Sequence, residues 1–208
     1  MARAEIPDGL PLSAIAARVQ PFVAARERLL PVALPLGNHL PNGGVQRGTT
    51  VVVDGRRGVG VTTTTLMLAA AATTTGEWAA IVDPDGTVGA RAAADAGVEL
   101  ERCAVVRRVP RDRWSAVVAA LLDGAALVAA TVPDRLRPGD ARRLIAKARE
   151  RSSVLVAVGP WPVEAALRLH VEPSAWERAS SGLLTRRDIV VHVEGRGVRA
   201  PMRLAHAV

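Results

Sequence analysis

A glycine-rich loop between two apolar runs is the first place where this sequence could do chemistry. It reads GRRGVGVTTTT from Gly55 to Thr65, with TTVVVD before it and LMLAAAA after it. A phosphate-binding loop has the form G-x-x-x-x-G-K-[ST] and joins a strand to a helix, whose first N–H groups face the phosphates. Gly55 and Gly60 have that spacing, and Thr62 has the position of the hydroxyl that binds Mg²⁺. The lysine position holds Val61, so the motif predicts the backbone of a nucleotide site without its main cation.

The elements that would position this loop alternate between strands and helices. Continuous apolar runs, typical of strands buried on both faces of a parallel sheet, predict strands at 49–53, 78–82, 103–106, 125–130 and 153–158. Helices are predicted at 61–75, 87–96, 111–123 and 140–151, the last with Asp140 as its N-cap. The runs 188–195 and 198–206 alternate like an antiparallel hairpin with its turn at 195–197, and 160–178 is predicted to be irregular or short-helical. This order predicts an α/β fold with a doubly wound, mainly parallel sheet and a C-terminal antiparallel hairpin.

The composition limits the classes of protein to consider. The 208 residues are 49% hydrophobic and carry a formal net charge of +7. Cys103 is the only cysteine, which excludes an intrachain disulfide, and the four histidines lack ligand spacing, which predicts no metal site. No signal peptide or membrane span is evident, so we expect a cytoplasmic protein with no membrane partner. The basic excess has two interpretations, contact with nucleic acid or the arginine usage of a GC-rich genome.

Residues 1–36 are predicted to form an N-terminal helical segment and linker, and residues 37–208 the core domain. Ser13 can cap a helix that runs to about Leu30, with Pro21 as a kink or break. An apolar stripe follows one side of this helix and consists of Ile15, Val19, Phe22, Val23, Leu29 and Leu30. The stripe either binds a partner or neighbouring subunit, or folds back on its own sheet.

Five segments carry a resemblance to a known family. They are GGVQRGTTVVVDG (43–55), the glycine loop, AAIVDPD (79–85), AGVELERCAVVR (96–107) and ASSGLLTRRDIVVHVEG (179–195). In this order they resemble the ATPase core of the bacterial recombinase RecA, over roughly residues 30 to 208. The resemblance implies a RecA-like P-loop core, and it implies that the second of two DNA-binding loops would correspond to 160–182.

The chain departs from that family at the residues that hydrolyse ATP. Such enzymes use a lysine on the phosphates, a carboxylate that polarises water, an acid at the end of the central strand and a polar sensor on the next strand. Here Val61 replaces the lysine, AALVAAT (125–131) ends without an acid, and Gly159 with the proline after it holds the sensor position. Asp85 falls where the catalytic glutamate would be, although Pro-Asp-Gly is also ordinary turn chemistry. We therefore expect no catalytic residue and no cofactor.

Two interpretations of the loop stay open. The backbone N–H groups of Gly58, Gly60 and Val61, with the dipole of the following helix, could attract an anion weakly. Alternatively, the glycines serve only to pack the first strand against its helix.

A catalytically depleted RecA core of this size resembles the ImuA-prime family, accessory proteins of the actinobacterial mutasome. The resemblance implies binding to an ImuB-like Y-family polymerase homologue and, through it, to an error-prone C-family polymerase. It also implies a role in damage-induced mutagenesis and translesion synthesis, with the protein associated with the nucleoid when assembled on DNA.

Basic and aromatic residues mark candidate surfaces for DNA or an acidic partner. The densest basic group lies on and just before the helix 140–151 and consists of Arg135, Arg137, Arg142, Arg143, Lys147 and Arg151. Trp161 and Trp176 lie in the stretch that would form the second DNA-binding loop and could stack on bases, or could instead fill the core.

The main functional hypothesis is therefore a non-enzymatic adaptor with a RecA fold in a DNA-damage tolerance complex. A second hypothesis is a weak P-loop ATPase or nucleotide-gated DNA-binding protein that uses Thr62 and Asp85. A third is a modulator that caps RecA filaments through a shared subunit interface.

Overall fold

The computed structural model describes residues 28–172, 176–178, 184–195, 198 and 202–207, with only the backbone described for 176–178, 184–187 and 202–207. The strands are β1 (Leu29–Pro31), β2 (Gly44–Gln46), β3 (Thr50–Gly55), β4 (Ala79–Val82), β5 (Cys103–Val106), β6 (Leu127–Thr131), β7 (Val154–Val158), β8 (Leu167–Glu172), β9 (Trp176–Arg178), β10 (Leu184–Gly195) and β11 (Met202–Ala207). The α-helices are α1 (Val61–Thr73), α2 (Ala90–Asp95), α3 (Trp114–Leu122) and α4 (Pro138–Arg151). Short 3-10 helices cover Leu36–His39, Pro41–Gly43 and Leu100–Arg102.

One large sheet organises the described part of the chain. Its strand order is β5-β4-β6-β7-β3-β8-β10-β11, with β9 paired to β10. The strands from β5 to β8 are mutually parallel, whereas β10 is antiparallel to β8 and to β11. The predicted α/β fold with a mainly parallel sheet and a C-terminal antiparallel pair is confirmed at this level. The predicted turn at 195–197 lies mostly outside the described residues.

Apolar layers cover both faces of the parallel strands. On one face α1 packs against alternate residues of the strands, among them Val51, Val53 and Ile81. On the other face α3 and α4 pack against Val52, Val128 and their neighbours. Strands buried on both faces explain the continuous apolar runs in the sequence. Each fully buried leucine or valine contributes about 1.5–3 kcal/mol relative to exposure, so this core holds β3 and α1 firmly around the loop between them.

The N-terminal part of the core differs from the predicted helix that runs to about Leu30. Leu29 and Leu30 do not belong to a helix, because they form β1, which pairs antiparallel with β2 through Leu30 and Val45. Pro31 disfavours helical backbone at the residue before it, and Leu30 instead becomes fully buried against the main core. Leu36 is also part of this core, which therefore begins before residue 37. The other members of the stripe, Ile15, Val19, Phe22 and Val23, lie outside the described residues.

Two further predictions were wrong. The stretch 160–178 was expected to be irregular or short-helical, yet β8 pairs in parallel with β3 in the middle of the sheet. Its sequence LRLHVE alternates buried and more exposed residues, which is the period of a strand with one apolar face. Asp140 does not cap α4, which begins at Pro138 after Arg137, because proline suits the first helical position.

No helix in the described ranges is long and apolar enough to cross a membrane.

Candidate functional site

The glycine loop has the predicted strand-loop-helix layout. β3 ends at Gly55, α1 begins at Val61, and Gly60 is the residue that precedes the helix. Gly55, Gly58 and Gly60 have positive φ angles of 152°, 83° and 114°. Such angles favour glycine because they are strained for residues with a side chain. The spacing of the glycines is therefore explained by the path of the backbone.

Residues of two neighbouring strands lie directly against two of these glycines. A Cβ atom added to Gly60 would lie 2.9 Å from Cδ1 of Ile189, a fully buried residue of β10. A Cβ atom added to Gly55 would lie 2.5 Å from the carbonyl oxygen of Val171 in β8. The loop is thus packed against β8 and β10. This contact supports the interpretation that the glycines serve packing.

Val61 takes part in the same packing. Its side chain is partly buried against the core, and one methyl carbon, Cγ2, would lie 3.0 Å from a Cβ on Gly55. At this position a phosphate-binding loop needs an ammonium group that reaches toward the phosphates. The structure instead places an apolar side chain across the loop, where it offers no charge to an anion.

A small cavity lies between the start of α1 and the carboxyl ends of the central strands. Its volume is about 30 Å³, and Thr62, Thr65 and Thr131 line it together with Asp83. This volume holds about one water molecule, whereas sites for small organic ligands span some 300–1,000 Å³. Asp83 is the only charged residue in this lining, so the end of β6 brings no acid to the site, as its sequence indicates.

Asp83 is the functional-looking residue that sequence reasoning missed. It follows β4 directly and is 2% exposed. Oδ1 accepts hydrogen bonds from the N–H and hydroxyl of Thr87, both at 3.0 Å, and Oδ2 accepts one from the N–H of Val88 at 2.9 Å. The Arg107 Nε atom lies 3.7 Å from Oδ2. The only signal in the sequence is that an aspartate directly after a strand can accept hydrogen bonds from nearby backbone N–H groups.

The electrostatics of Asp83 fit a residue that stabilises the turn after β4. Burial raises its pKa, but the N–H groups of Val88 and Thr87, the Thr87 hydroxyl and the charge of Arg107 outweigh burial and hold the pKa below 3.8. A carboxylate that accepts several donors is stabilised in its charged form and is a weak base. Asp83 is therefore poorly suited to activate a water molecule.

The two other carboxylates near the loop also have cationic neighbours. Asp85, which was predicted to replace the catalytic glutamate, is exposed, and its Oδ2 lies 3.7 Å from Nη2 of Arg57 in the loop. Asp54 accepts a hydrogen bond from Nη1 of Arg168 at 2.9 Å, and its Oδ1 lies 2.5 Å from Nδ1 of His170. Asp85 is thus part of an exposed ion pair with an arginine of the loop.

The basic group on α4 is partly neutralised. Lys147 and Arg151 both contact Oδ1 of Asp123 at 2.7 Å, and Nη1 of Arg143 lies 3.4 Å from Asp140. The hydrogen bond from Lys147 is the largest influence that holds the pKa of Asp123 below 3.8. The row Arg143, Lys147 and Arg151 is therefore a weaker anion site than its sequence suggests.

Four arginines remain exposed around the same helix without an ion pair among the described residues. They are Arg135, Arg137, Arg142 and Arg149. Ala141, Leu144 and Ala148 of this helix are buried in the core.

Of the two tryptophans proposed for base stacking, only Trp161 has a side chain that the structure describes. Trp161 is 7% exposed and packs in the apolar cluster beneath α3 and α4, so its ring is not available to stack on bases. It fills the core because the chain returns toward the sheet at this point to form β8. The side chain of Trp176 lies outside the described part of the structure. Within the described ranges no group of three or more histidine, cysteine, aspartate or glutamate side chains could hold a metal ion.

Comparisons with known proteins add one finding. The family described as the MT3502 N-terminal domain matches residues 38–163, which is more than half of the chain and includes the glycine loop. A comparison with curated proteins gave no match.

Proposed function

The chain belongs to the family of the MT3502 N-terminal domain. From its resemblance to RecA, and not from that membership, we propose that it is a non-catalytic adaptor with a RecA-like core. The adaptor would act by binding other proteins in a DNA-damage tolerance complex. The fold supports the first part of this proposal, because the strand that carries the glycine loop lies within a mainly parallel sheet that ends in an antiparallel pair. These are the features that the resemblance to RecA implies.

The observation that carries the non-catalytic part is the packing of Val61 across the loop. Among the described residues, the groups around the cavity also do not supply the rest of a nucleotide hydrolase. The cavity beside Thr62 has room for about one water molecule. Its only charged residue, Asp83, already accepts hydrogen bonds from Thr87 and Val88. Hydrolysis needs a positioned cation and an available base at the phosphates, and these residues supply neither.

The identity of the partner follows from the resemblance to the ImuA-prime family. It is an ImuB-like Y-family polymerase homologue, through which an error-prone C-family polymerase would be recruited. The exposed arginines around α4 give this surface the charge to contact DNA or an acidic partner.

Calorimetric titration with ATP and Mg²⁺ tests the non-catalytic part. For the natural chain we expect no saturable heat up to about 1 mM nucleotide. Val61→Lys restores the missing cation, but it adds no acid at the end of β6, so we expect it to remain inactive as an ATPase. Saturable binding by the natural chain at micromolar concentration, or turnover stimulated by single-stranded DNA, would overturn the proposal in favour of a weak ATPase.

Co-purification with the ImuB-like partner tests the adaptor part. The natural chain and Val61→Lys should bind this partner equally, because the loop is not expected to gate the interaction. If the partner is not retained, and the chain instead co-pellets with RecA filaments, the chain is a filament modulator and not the proposed adaptor.

A further inference from the structure

The loops at the carboxyl edge of the parallel strands carry an excess of arginine. Strands β3 to β7 are mutually parallel, so the segments that follow β3, β4, β5 and β6 all leave the sheet at one edge. These segments contain eight arginines and four aspartates, and they are 56–60, 83–89, 107–113 and 132–137. All eight arginines are exposed, so this edge presents a net positive charge to solvent.

The amino edge of the same strands has the opposite balance of charge. The segments that lead into β3, β4, β5, β6 and β7 contain two arginines and four acidic residues, and they are 47–49, 74–78, 96–102, 123–126 and 152–153. Arginine usage that came from genome composition alone would not favour one edge of a sheet over the other. The concentration of arginine at the carboxyl edge therefore indicates a surface that binds an anion.

Most of these arginines are available to an anion. Of the other three, only Arg107 is firmly held, because its Nη2 atom donates to the carbonyl of Val88 at 2.7 Å. Two more form exposed ion pairs longer than 3.5 Å, and such pairs contribute little. The five with no ion pair or side-chain hydrogen bond among the described residues are Arg56 after β3, Arg108 and Arg113 after β5, and Arg135 and Arg137 after β6.

The loops that carry these arginines are neighbours in space. The Nη2 atom of Arg111 lies 3.8 Å from Oδ2 of Asp134, which brings the loop after β5 against the loop after β6. Arg57 in the loop after β3 likewise lies 3.7 Å from Asp85 in the turn after β4. Four strand spacings of about 4.8 Å separate β5 from β3, so the loops extend over about 19 Å. A linear polyanion can therefore contact several of them at once.

The residue types in these loops favour one kind of polyanion. Proteins that bind single strands stack the bases on aromatic side chains, and none of the four loops contains an aromatic residue. Trp114, which directly follows the loop after β5, is 3% exposed. Duplex DNA presents one negative charge per about 1.7 Å of its axis and can be bound through phosphates alone. We propose that the carboxyl edge binds the phosphate backbone of double-stranded DNA without reading its sequence. This inference does not depend on the protein partners proposed above.

Arg108 allows charge to be removed from this edge without harm to the fold. Its φ angle is 56°, which lies in the left-handed region that favours glycine. Arg108→Gly therefore removes the charge and relieves the backbone, so we expect its Tm to stay close to that of the natural chain. Arg102→Ala is the matched control, because Arg102 precedes β5 as Arg108 follows it. Arg102 is also exposed and has no ion pair among the described residues.

Fluorescence anisotropy with a labelled duplex of about 20 base pairs, measured over a range of salt concentrations, tests the proposal. We expect the natural chain to bind with a micromolar Kd at about 50 mM salt. Arg108→Gly should weaken binding there by about tenfold and reduce the slope of log affinity against log salt by about 0.9 in magnitude, as for one lost phosphate contact. Arg56→Ala, Arg108→Gly and Arg135→Ala combined should reduce the slope by about 2.7. Arg102→Ala should leave both quantities unchanged.

Three results would overturn the proposal. The first is no binding of the duplex by the natural chain at about 50 mM salt. The second is an equal loss in Arg102→Ala and Arg108→Gly, because binding would then follow net charge and not this edge. The third is tighter binding of a single strand of the same length, or of polyglutamate, than of the duplex. Thermal melting of each variant confirms that it is folded.

Discussion

Replacing Asp83 by alanine should destabilise the fold strongly, although Asp83 lies beside a loop with no proposed chemistry. The side chain is 2% exposed and accepts three hydrogen bonds, from the N–H and hydroxyl of Thr87 and from the N–H of Val88. Alanine removes all three acceptors. Thr87 is exposed, so its N–H and hydroxyl can hydrogen-bond to water instead. Val88 is buried, so its N–H would be left without a partner.

The magnitude follows from these contacts. A hydrogen bond to a charged group contributes about 1.5–3 kcal/mol, and a buried donor left unpaired costs about 1–3 kcal/mol. Burial of the carboxylate offsets part of this sum. We therefore expect Asp83→Ala to lower the free energy of unfolding by about 2–4 kcal/mol. For a chain of this size that corresponds to a fall in Tm of about 5–15 °C.

Chemical denaturation with Asp85→Ala as the matched control is the assay. Asp85 lies in the same turn but is exposed, and its only ion pair in the described residues spans 3.7 Å between exposed groups. Exposed pairs of this kind contribute little, so Asp85→Ala should stay within about 0.5 kcal/mol of the natural chain. If Asp83→Ala is no more destabilising than Asp85→Ala, the structural role of Asp83 is wrong.

The pH dependence provides an independent check on the same residue. Because the pKa of Asp83 is lower in the folded chain than its ordinary 3.8, its stabilisation is complete above that ordinary value. It is lost as the pH falls through the folded pKa, where the carboxylate takes up a proton. The stability difference between the natural chain and Asp83→Asn should therefore be constant between about pH 5 and 7 and shrink below about pH 4. A difference that grows in acid would contradict the assignment.

Two further substitutions test the loop and the basic surface. Gly60→Ala should lower the free energy of unfolding by about 1–3 kcal/mol more than Gly58→Ala, as measured by chemical denaturation. Both substitutions strain a positive φ, but only Gly60 lies against Ile189. Equal losses would argue against that packing. Arg142→Ala combined with Arg149→Ala removes two exposed arginines of α4 and should weaken binding to single-stranded DNA. The slope of log affinity against log salt should fall in magnitude by about 0.7 for each phosphate that these arginines neutralise. An unchanged slope would show that these arginines of α4 do not bind DNA.

The sequence predicts the central architecture well because that part of the fold depends on local signals. Every strand from β3 to β7 is a short apolar run, and the helices between them have the expected period or composition. β8 was missed because its LRLHVE sequence follows two prolines and a tryptophan, which suggested irregular structure. Its place beside β3 depends on residues more than a hundred positions apart, and such pairing leaves no local signal.

The sequence predicts the backbone layout of the site, but it does not predict which of the side chains nearby are buried. The positions of Gly55, Gly60 and Val61 followed from spacing alone. Asp83 was passed over in favour of Asp85, because the two lie in one turn and sequence does not show which carboxylate is buried. The burial of Trp161 likewise depends on the return of the chain beneath α3 and α4, which is a property of the whole fold.

The glycine loop shows why a motif is weaker evidence for chemistry than for conformation. A phosphate cradle needs glycines because the backbone must approach the ligand closely, and a tight strand-to-helix turn needs them because φ is positive. Here Ile189 and Val171 lie where added side chains would be, so packing alone accounts for Gly55 and Gly60. Glycine spacing is therefore equally compatible with a nucleotide and with a packed turn. The distinguishing residue is Val61, because packing accepts valine there, whereas a nucleotide-hydrolysing P-loop has a lysine at this position.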